Sequence, residues 1–303
     1  MVRLGRFSGI GTRGLGVLAM AFLLMVGLAA RASAGGVIMV IPAYFTSDEL
    51  YDENGDTFKP APDFEVKAPN LGFLLGYNWA VSGILPEDWN PVVGVNVLFW
   101  LIDVDVTAGG ETMTSGFEPG FFWPIVYLGS KYLDLNVGFE FDLSPQPDPA
   151  RGTIPNTDLS EALTFGGTLK YPIGDFVLSA GADYLLTFEH ELPDGTKEDP
   201  SDWLILRGAG SYTFPVGENA KLTLGAMLAY YRYSAPETNG IKGDTGNHFF
   251  IQPQLTLSVD RFFISVYWGT VDEYTNGGIS FSGKNSLVKK ASGFRAYIGY
   301  TFD

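Results

Sequence analysis

Two histidines are the place to look first for chemistry, because a hydrolytic site needs a general base within reach of a nucleophile or a carboxylate. His190 stands between Glu189 and Glu191 in an acidic stretch, and His248 precedes Phe249-Phe250 with no serine two residues away. Those are the surroundings of solvated loop groups, so the sequence predicts no enzyme and no catalytic residue. Cysteine is absent, which excludes disulfides, thiolate metal sites and a cysteine-linked lipid anchor. One segment could hold a hard cation: Asp52-Glu53-Asn54-Gly55-Asp56 puts oxygen donors at positions 1, 3 and 5, with Asp63 at position 12. Thr57 stands where such a loop uses glycine, so the plainer reading is a solvated acidic loop, and no metal or other cofactor is expected. Acidic residues return at Glu189, Glu191, Asp194, Glu198, Asp199 and Asp202. Loops of this kind would bind divalent cations loosely beside lipopolysaccharide phosphates.

The elements that carry these groups follow from composition and pattern. With 46% apolar and only 17% charged residues, the 303-residue chain is not disordered. A net charge of −15 and a sequence pI near 4.5 argue against nucleic acid, whose phosphates call for an excess of Lys and Arg. Aromatics at 15% beside 38 glycines are high for a soluble enzyme and suit a membrane β-barrel.

Residues 1–34 read as a secretory signal peptide. Arg3, Arg6 and Arg13 precede the apolar run Val17 to Leu28, and Ala32-Ser33-Ala34 gives a small-x-small cleavage pattern. The apolar run is too short to span a bilayer, which takes ~20 residues. No later apolar run approaches that length. Residues 35–303 therefore either fold in the periplasm or cross a membrane as a closed barrel.

Period-2 alternation decides for strands. In Leu133-Asp134-Leu135-Asn136-Val137-Gly138-Phe139-Glu140-Phe141-Asp142-Leu143, one face is wholly apolar and the other carries every carboxylate. Similar runs predict 12 strands near 37–45, 70–80, 91–104, 115–128, 132–143, 162–172, 176–188, 203–214, 221–233, 248–259, 262–271 and 292–302. The third changes phase around Leu101-Ile102, as a bulge would make it do. Residues 35–45 could be a wall strand or a plug folded inside. Compact turns (Val81–Asn90, Gly129–Lys131, Ile173–Asp175, Pro215–Ala220, Asp260-Arg261) alternate with mostly longer loops. That alternation is the mark of an outer-membrane barrel, with its turns in the periplasm. The expected fold is all-β: one transmembrane antiparallel up-and-down barrel of about 12 strands in the outer membrane of a Gram-negative cell. Aromatics at strand ends (Tyr77, Trp79, Trp89, Phe121, Trp123, Tyr127, Trp203, Tyr230, Tyr231, Tyr233) are expected to form interfacial girdles.

On this phase the inner face carries Asn78, Asn96, Glu118, Asp134, Asn136, Glu140, Asp142, Lys170, Asp183, Arg207, Gln252, Gln254 and Arg295. Acids and bases fall on different strands, so they would either pair into a rigidifying network or line a path. Glu118, Glu140, Lys170, Arg207 and Arg295 are the candidates for a charged constriction. Leu74, Leu98, Met227 and Phe263 also face inward, and Trp100, Phe122, Tyr231, Phe250 and Tyr267 are the candidates for an apolar wall. Such a wall suits a poorly soluble solute, and packing inside a narrow barrel would also explain it.

Around Ser115-Gly116-Phe117-Glu118-Pro119-Gly120-Phe121-Phe122-Trp123-Pro124, the chain resembles the outer-membrane protein family named for the meta-pathway of phenol degradation. Gly116, Phe117 and Pro124 fit that family's early strand, whereas Glu118 and Pro119 stand where it has Gly and Asp. The turns at Tyr171-Pro172-Ile173-Gly174-Asp175 and Phe214-Pro215-Val216-Gly217 resemble its Pro-x-Gly turns. The finish Tyr300-Thr301-Phe302-Asp303 is similar to the C-terminal strand that barrel-assembly machinery recognises, with one extra Asp. The family resemblance implies a barrel associated with uptake of aromatic compounds, and brings no catalytic residue.

The functional expectation is an outer-membrane channel for passive passage of small solutes, aromatic or otherwise apolar compounds foremost. Its partners would be outer-membrane lipid, lipopolysaccharide, a small-molecule solute and the assembly machinery. The alternatives are a closed structural or adhesive barrel acting through its acidic loops and, third, a barrel hydrolase.

Overall fold

A strand with one apolar and one polar face can cross hydrocarbon only if its neighbours satisfy all its backbone groups, and a ring of strands achieves this by closing on itself. The structure, a computed structural model, describes residues 34–51, 57–144, 160–192, 195–243, 245–270, 288–289 and 292–302. Twelve wall strands run in chain order: β1 (Ala34–Ser47), β2 (Glu65–Ala80), β3 (Val92–Ile102) and β4 (Glu118–Gly129). There follow β5 (Leu133–Asp142), β6 (Ala162–Ile173), β7 (Phe176–Thr187) and β8 (Trp203–Pro215). Then come β9 (Ala220–Tyr233), β10 (Gly246–Val259), β11 (Phe262–Thr270) and β12 (Ser292–Phe302). Each pairs antiparallel with the next. β1 pairs on one side with β2 and on the other with β12, so the sheet is a closed barrel. Residues 35–45 are thus wall rather than plug. The expected signal peptide lies outside the described residues except for Ala34, which pairs with Trp79.

Register fixes which side chains point which way. Opposed residues share a face, and one connected face exposes Ile38, Leu75, Leu169, Leu178, Leu228, Leu257, Ile264 and Ile298. In water this continuous apolar surface would drive aggregation. Around a bilayer-spanning barrel it is the surface that lipid covers. The protein is accordingly a membrane β-barrel of the outer-membrane type.

Short turns sort to one end and long connections to the other. The turn between β6 and β7 uses Gly174 at φ 60°, and that between β10 and β11 uses Asp260 at φ 51°, the left-handed geometry that two-residue hairpins need. At the opposite end the connections build small sheets. Asp105–Ala108 and Glu111–Thr114 form a hairpin that extends β2. Strands from the β7–β8 connection (His190–Glu191, Lys197–Asp199) pair with strands from the β9–β10 connection (Glu237–Thr238, Ile241–Lys242).

One irregularity departs from the expected pattern. β3 keeps its alternation as far as Ile102, and the register shift lies opposite it: Phe99 faces Phe122, but Leu101 faces Pro119. The extra residue of the bulge therefore belongs to β4, at Gly120-Phe121, and the phase change expected within β3 is corrected to its partner. Both Gly120 and Phe121 turn inward, because a Cβ on Gly120 would meet the inward Ile102 at 2.4 Å and the Phe121 ring lies 6.2 Å from that of Trp100.

Candidate functional site

The inner face divides by height. Toward the long-loop end, Ile41, Ala43 and Phe45 of β1 meet Ala68 of β2 and Leu98, Trp100 and Ile102 of β3 in a buried apolar cluster. Trp100 can lie along the wall because its neighbour across the ladder is Gly72, where a Cβ would come within 3.1 Å of the indole. The Arg295 guanidinium of β12 sits over this cluster, 5.5 Å from the Trp100 ring centre and 6.0 Å from that of Phe45. Its Nη1 donates to Tyr297 Oη at 3.1 Å, and Tyr297 stands edge-on to Tyr267 at 5.1 Å. A cation between aromatic faces is held by their quadrupoles, more firmly as water is excluded. This arc offers flat apolar faces around one fixed positive charge.

A second aromatic cluster occupies the β8–β9 arc. Trp203, Tyr231 and Tyr233 are buried on the inner face, backed by Leu185, Ile205 and Met227. The two tyrosine rings stack at 6.3 Å, and Trp203 stands edge-on to both.

Polar pairs lie deeper. Arg207 of β8 bonds Asp183 of β7 through Nη2, and Asn136 also hydrogen-bonds that carboxylate. Closer to the short turns, Lys170 Nζ meets Asp134 Oδ1 at 2.8 Å. Trp123 reaches across Gly138 to donate to Thr164 Oγ1 at 3.2 Å, and a Cβ on Gly138 would stand 2.6 Å from the indole nitrogen.

Among the sequence candidates, Trp100, Tyr267 and Arg295 come together in the first arc. Tyr231 belongs to the second. Glu118 lies at the long-loop rim opposite Ile102, and Glu140 opposite Ala162. Lys170, near the other end, and Arg207, in the middle, are each paired with an acid, so the five charged candidates do not form one ring. Phe250 holds the inward register position opposite Ala229. Phe122 is corrected: its partners Phe99 and Phe141 continue to Phe73 on the outer face, since the extra residue at Gly120-Phe121 shifts the phase of β4. Phe121 takes the inward place instead.

The girdle expectation needs the same kind of correction. Tyr77 and Trp79 do face outward, but Phe121, Trp123, Tyr127, Trp203, Tyr231 and Tyr233 face inward by register. Sequence reasoning missed Phe45, Phe121 and Trp203 as inner-face residues. For Trp203 the signal was present, since alternation from Arg207 back through Ile205 puts it inward.

Neither loop motif forms a site among the described residues. Asp52–Asp56 falls outside them, and the Asp63 carboxylate instead accepts the backbone N–H groups of Gly109 and Gly110 at 2.8 and 2.6 Å. Those two bonds hold its pKa below the ordinary carboxylate value. In the loop sheet, His190 Nε2 lies 3.6 Å from Glu198 Oε2. Desolvation and the neighbouring Asp202, Glu189 and Glu237 carboxylates push Asp199 upward.

No protein-family model and no curated protein matches the sequence. Solved structures do match its fold. An outer membrane channel from Pseudomonas putida F1 superposes with a TM-score of 0.64 at 11% identity, covering 91% of this chain and 97% of that one. The β-domain of the Bordetella autotransporter BrkA gives 0.50 at 12% identity, over 89% of this chain and 100% of that one. At such identities the likeness is one of fold: a closed outer-membrane barrel.

Proposed function

We propose that the protein is an outer-membrane channel for passive passage of small solutes, with aromatic and other apolar compounds as its preferred cargo. The observation that carries this reading is the division of the inner face: aromatic surfaces around Trp100, Tyr267 and Arg295 near the long-loop end, and paired ions deeper down. A water-filled porin has no use for buried indole and phenol rings. A molecule with an apolar body gains from them, and needs only a few polar groups to orient it. In this reading Trp100, Tyr231, Phe250 and Tyr267 supply the apolar wall. Glu118, Glu140, Lys170, Arg207 and Arg295 set the electrostatic profile at successive heights. The likeness in fold to the Pseudomonas putida channel supports the reading, as does the resemblance of the early strands and turns to the meta-pathway family. The long loops then face outward beside lipopolysaccharide, and the C-terminal strand engages the assembly machinery.

The test is single-channel conductance of the refolded barrel at two salt concentrations, together with flux of toluene and benzoate into liposomes carrying it. Protein-dependent flux that falls in Trp100→Ala or changes in selectivity in Arg295→Gln supports the proposal. A silent barrel with no flux above protein-free liposomes overturns it.

A further inference from the structure

Trp203 is only 7% exposed, and its indole Nε1–H has no hydrogen-bond partner among the described residues. A buried indole N–H usually finds one. Register places the ring on the inner face, between Leu185 of β7 and Tyr233 of β9, so the lipid headgroups outside the wall do not reach it. Indole nitrogen is a donor only and cannot accept. What the position lacks is therefore an acceptor: the side chains of Leu185 and Ile205 offer none, the Met227 thioether is a weak one, and the Tyr231 and Tyr233 hydroxyls do not bond the indole.

The surroundings define the rest of the missing group. The stacked Tyr231 and Tyr233 rings and the edge-on indole are packed against one another, and together they supply flat aromatic faces of the kind an aryl group packs on. Trp203 is the first residue of β8 and Tyr233 the last of β9, so the box lies at the long-loop rim. A solute coming from that side meets it before the ion pairs. Four residues deeper on the same face, Arg207 Nε is another buried donor with no hydrogen-bond partner among the described residues, although the guanidinium also holds Asp183 through Nη2. Both of these β8 atoms are donors.

We propose that the Trp203–Tyr231–Tyr233 box is a binding station for aryl compounds bearing an oxygen acceptor, a carbonyl above all, with Trp203 Nε1–H donating to that oxygen. Entry takes rotation of the three rings at the rim. The station rests on the channel reading and deepens it: it discriminates among apolar cargo by the presence of an acceptor, which a purely apolar wall would not do. Sites that leave a buried donor unmatched reject the analogue that lacks the acceptor.

The test uses acetophenone and α-methylstyrene, which share a shape but differ in a carbonyl against a methylene. Binding to the refolded full chain in lipid nanodiscs is measured by equilibrium dialysis and corrected for partition into empty nanodiscs. Wild type should prefer acetophenone by roughly five- to tenfold, the worth of one ordinary hydrogen bond. Trp203→Phe, which keeps a ring and removes the donor, should bind both alike. In wild type the indole N–H resonance assigned to Trp203 should move with acetophenone and stay still with α-methylstyrene, a readout that does not depend on the variant folding. Equal affinity in wild type, or an unmoved Trp203 resonance, overturns the station. If liposome flux of both compounds persists in that case, the channel reading survives. Absence of flux for both defeats the channel reading itself.

Discussion

Removing the Asp183 carboxylate should show what the ion pairs of the inner face contribute. Asp183 and Arg207 bond directly across the β7–β8 ladder, with side chains 21% and 32% exposed. A fully exposed pair is worth under about 1 kcal/mol, whereas breaking a fully buried one costs about 3–5 kcal/mol, since the surviving charge is left in a poor solvent. At this intermediate exposure, Asp183→Leu should cost about 2 kcal/mol. The larger part of that is the penalty on Arg207 left without its acid. Asp183→Leu with Arg207→Met should recover more than half of the loss, because neither charge then has to be desolvated. The assay is reversible urea unfolding of the four proteins of the cycle in lipid vesicles, followed by tryptophan fluorescence. Additive losses, with the double variant as unstable as the sum of the singles, would refute the reasoning. Lys67 and Glu65 pair at 2.8 Å on more exposed side chains at the long-loop end of β2, and Glu65→Gln should move the midpoint hardly at all.

Three further outcomes are expected. Gly138→Leu should cost about 2 kcal/mol by forcing Trp123 off Thr164, the scale of overpacking in a filled interior, while Gly208→Ala should be neutral because no atom lies within 4 Å of its would-be Cβ. Urea midpoints of the two variants check this. The Asp63 clasp on Gly109 and Gly110 is fully present above the ordinary carboxylate pKa and is lost as pH falls through its lowered value. Hydrogen exchange at the two glycine amides, compared with Asp63→Asn across an acid titration, should show protection failing only at low pH in wild type and absent throughout in the variant. Replacing Trp100 with Ala removes the largest ring of the first arc, so single-channel conductance should rise; an unchanged conductance would place the narrowest section elsewhere.

Alternation was enough to read the class of fold and most of the inner face. The carboxylates of Leu133–Leu143 had to share one side of a strand, and from that phase Asp134, Lys170, Asp183, Arg207 and Arg295 were all placed inward, where register puts them. The order of short and long connections gave the closed barrel, because only closure satisfies the backbone of so many apolar-faced strands in a membrane. Alternation failed where polarity could not mark the phase. In Phe121-Phe122-Trp123 every residue is aromatic, so a one-residue bulge exchanges the inward and outward rings without altering the pattern.

Girdle and inner-face aromatics were confused for a related reason. Trp203 and Tyr233 lie at strand ends, where either face can carry a ring, and composition says nothing about which. Contacts between distant connections were beyond the sequence altogether. Glu198 meets Thr238 in the loop sheet, and the Asp63 carboxylate reaches Gly109 and Gly110, through pairings that no local propensity encodes. The sequence alone determined a membrane barrel and the sign of its inner face, since period and polarity are local properties. Which charges pair, which rings gather around Arg295 and which indole N–H finds no acceptor among the described residues were decided by register and closure, because those depend on which strands become neighbours and at what offset.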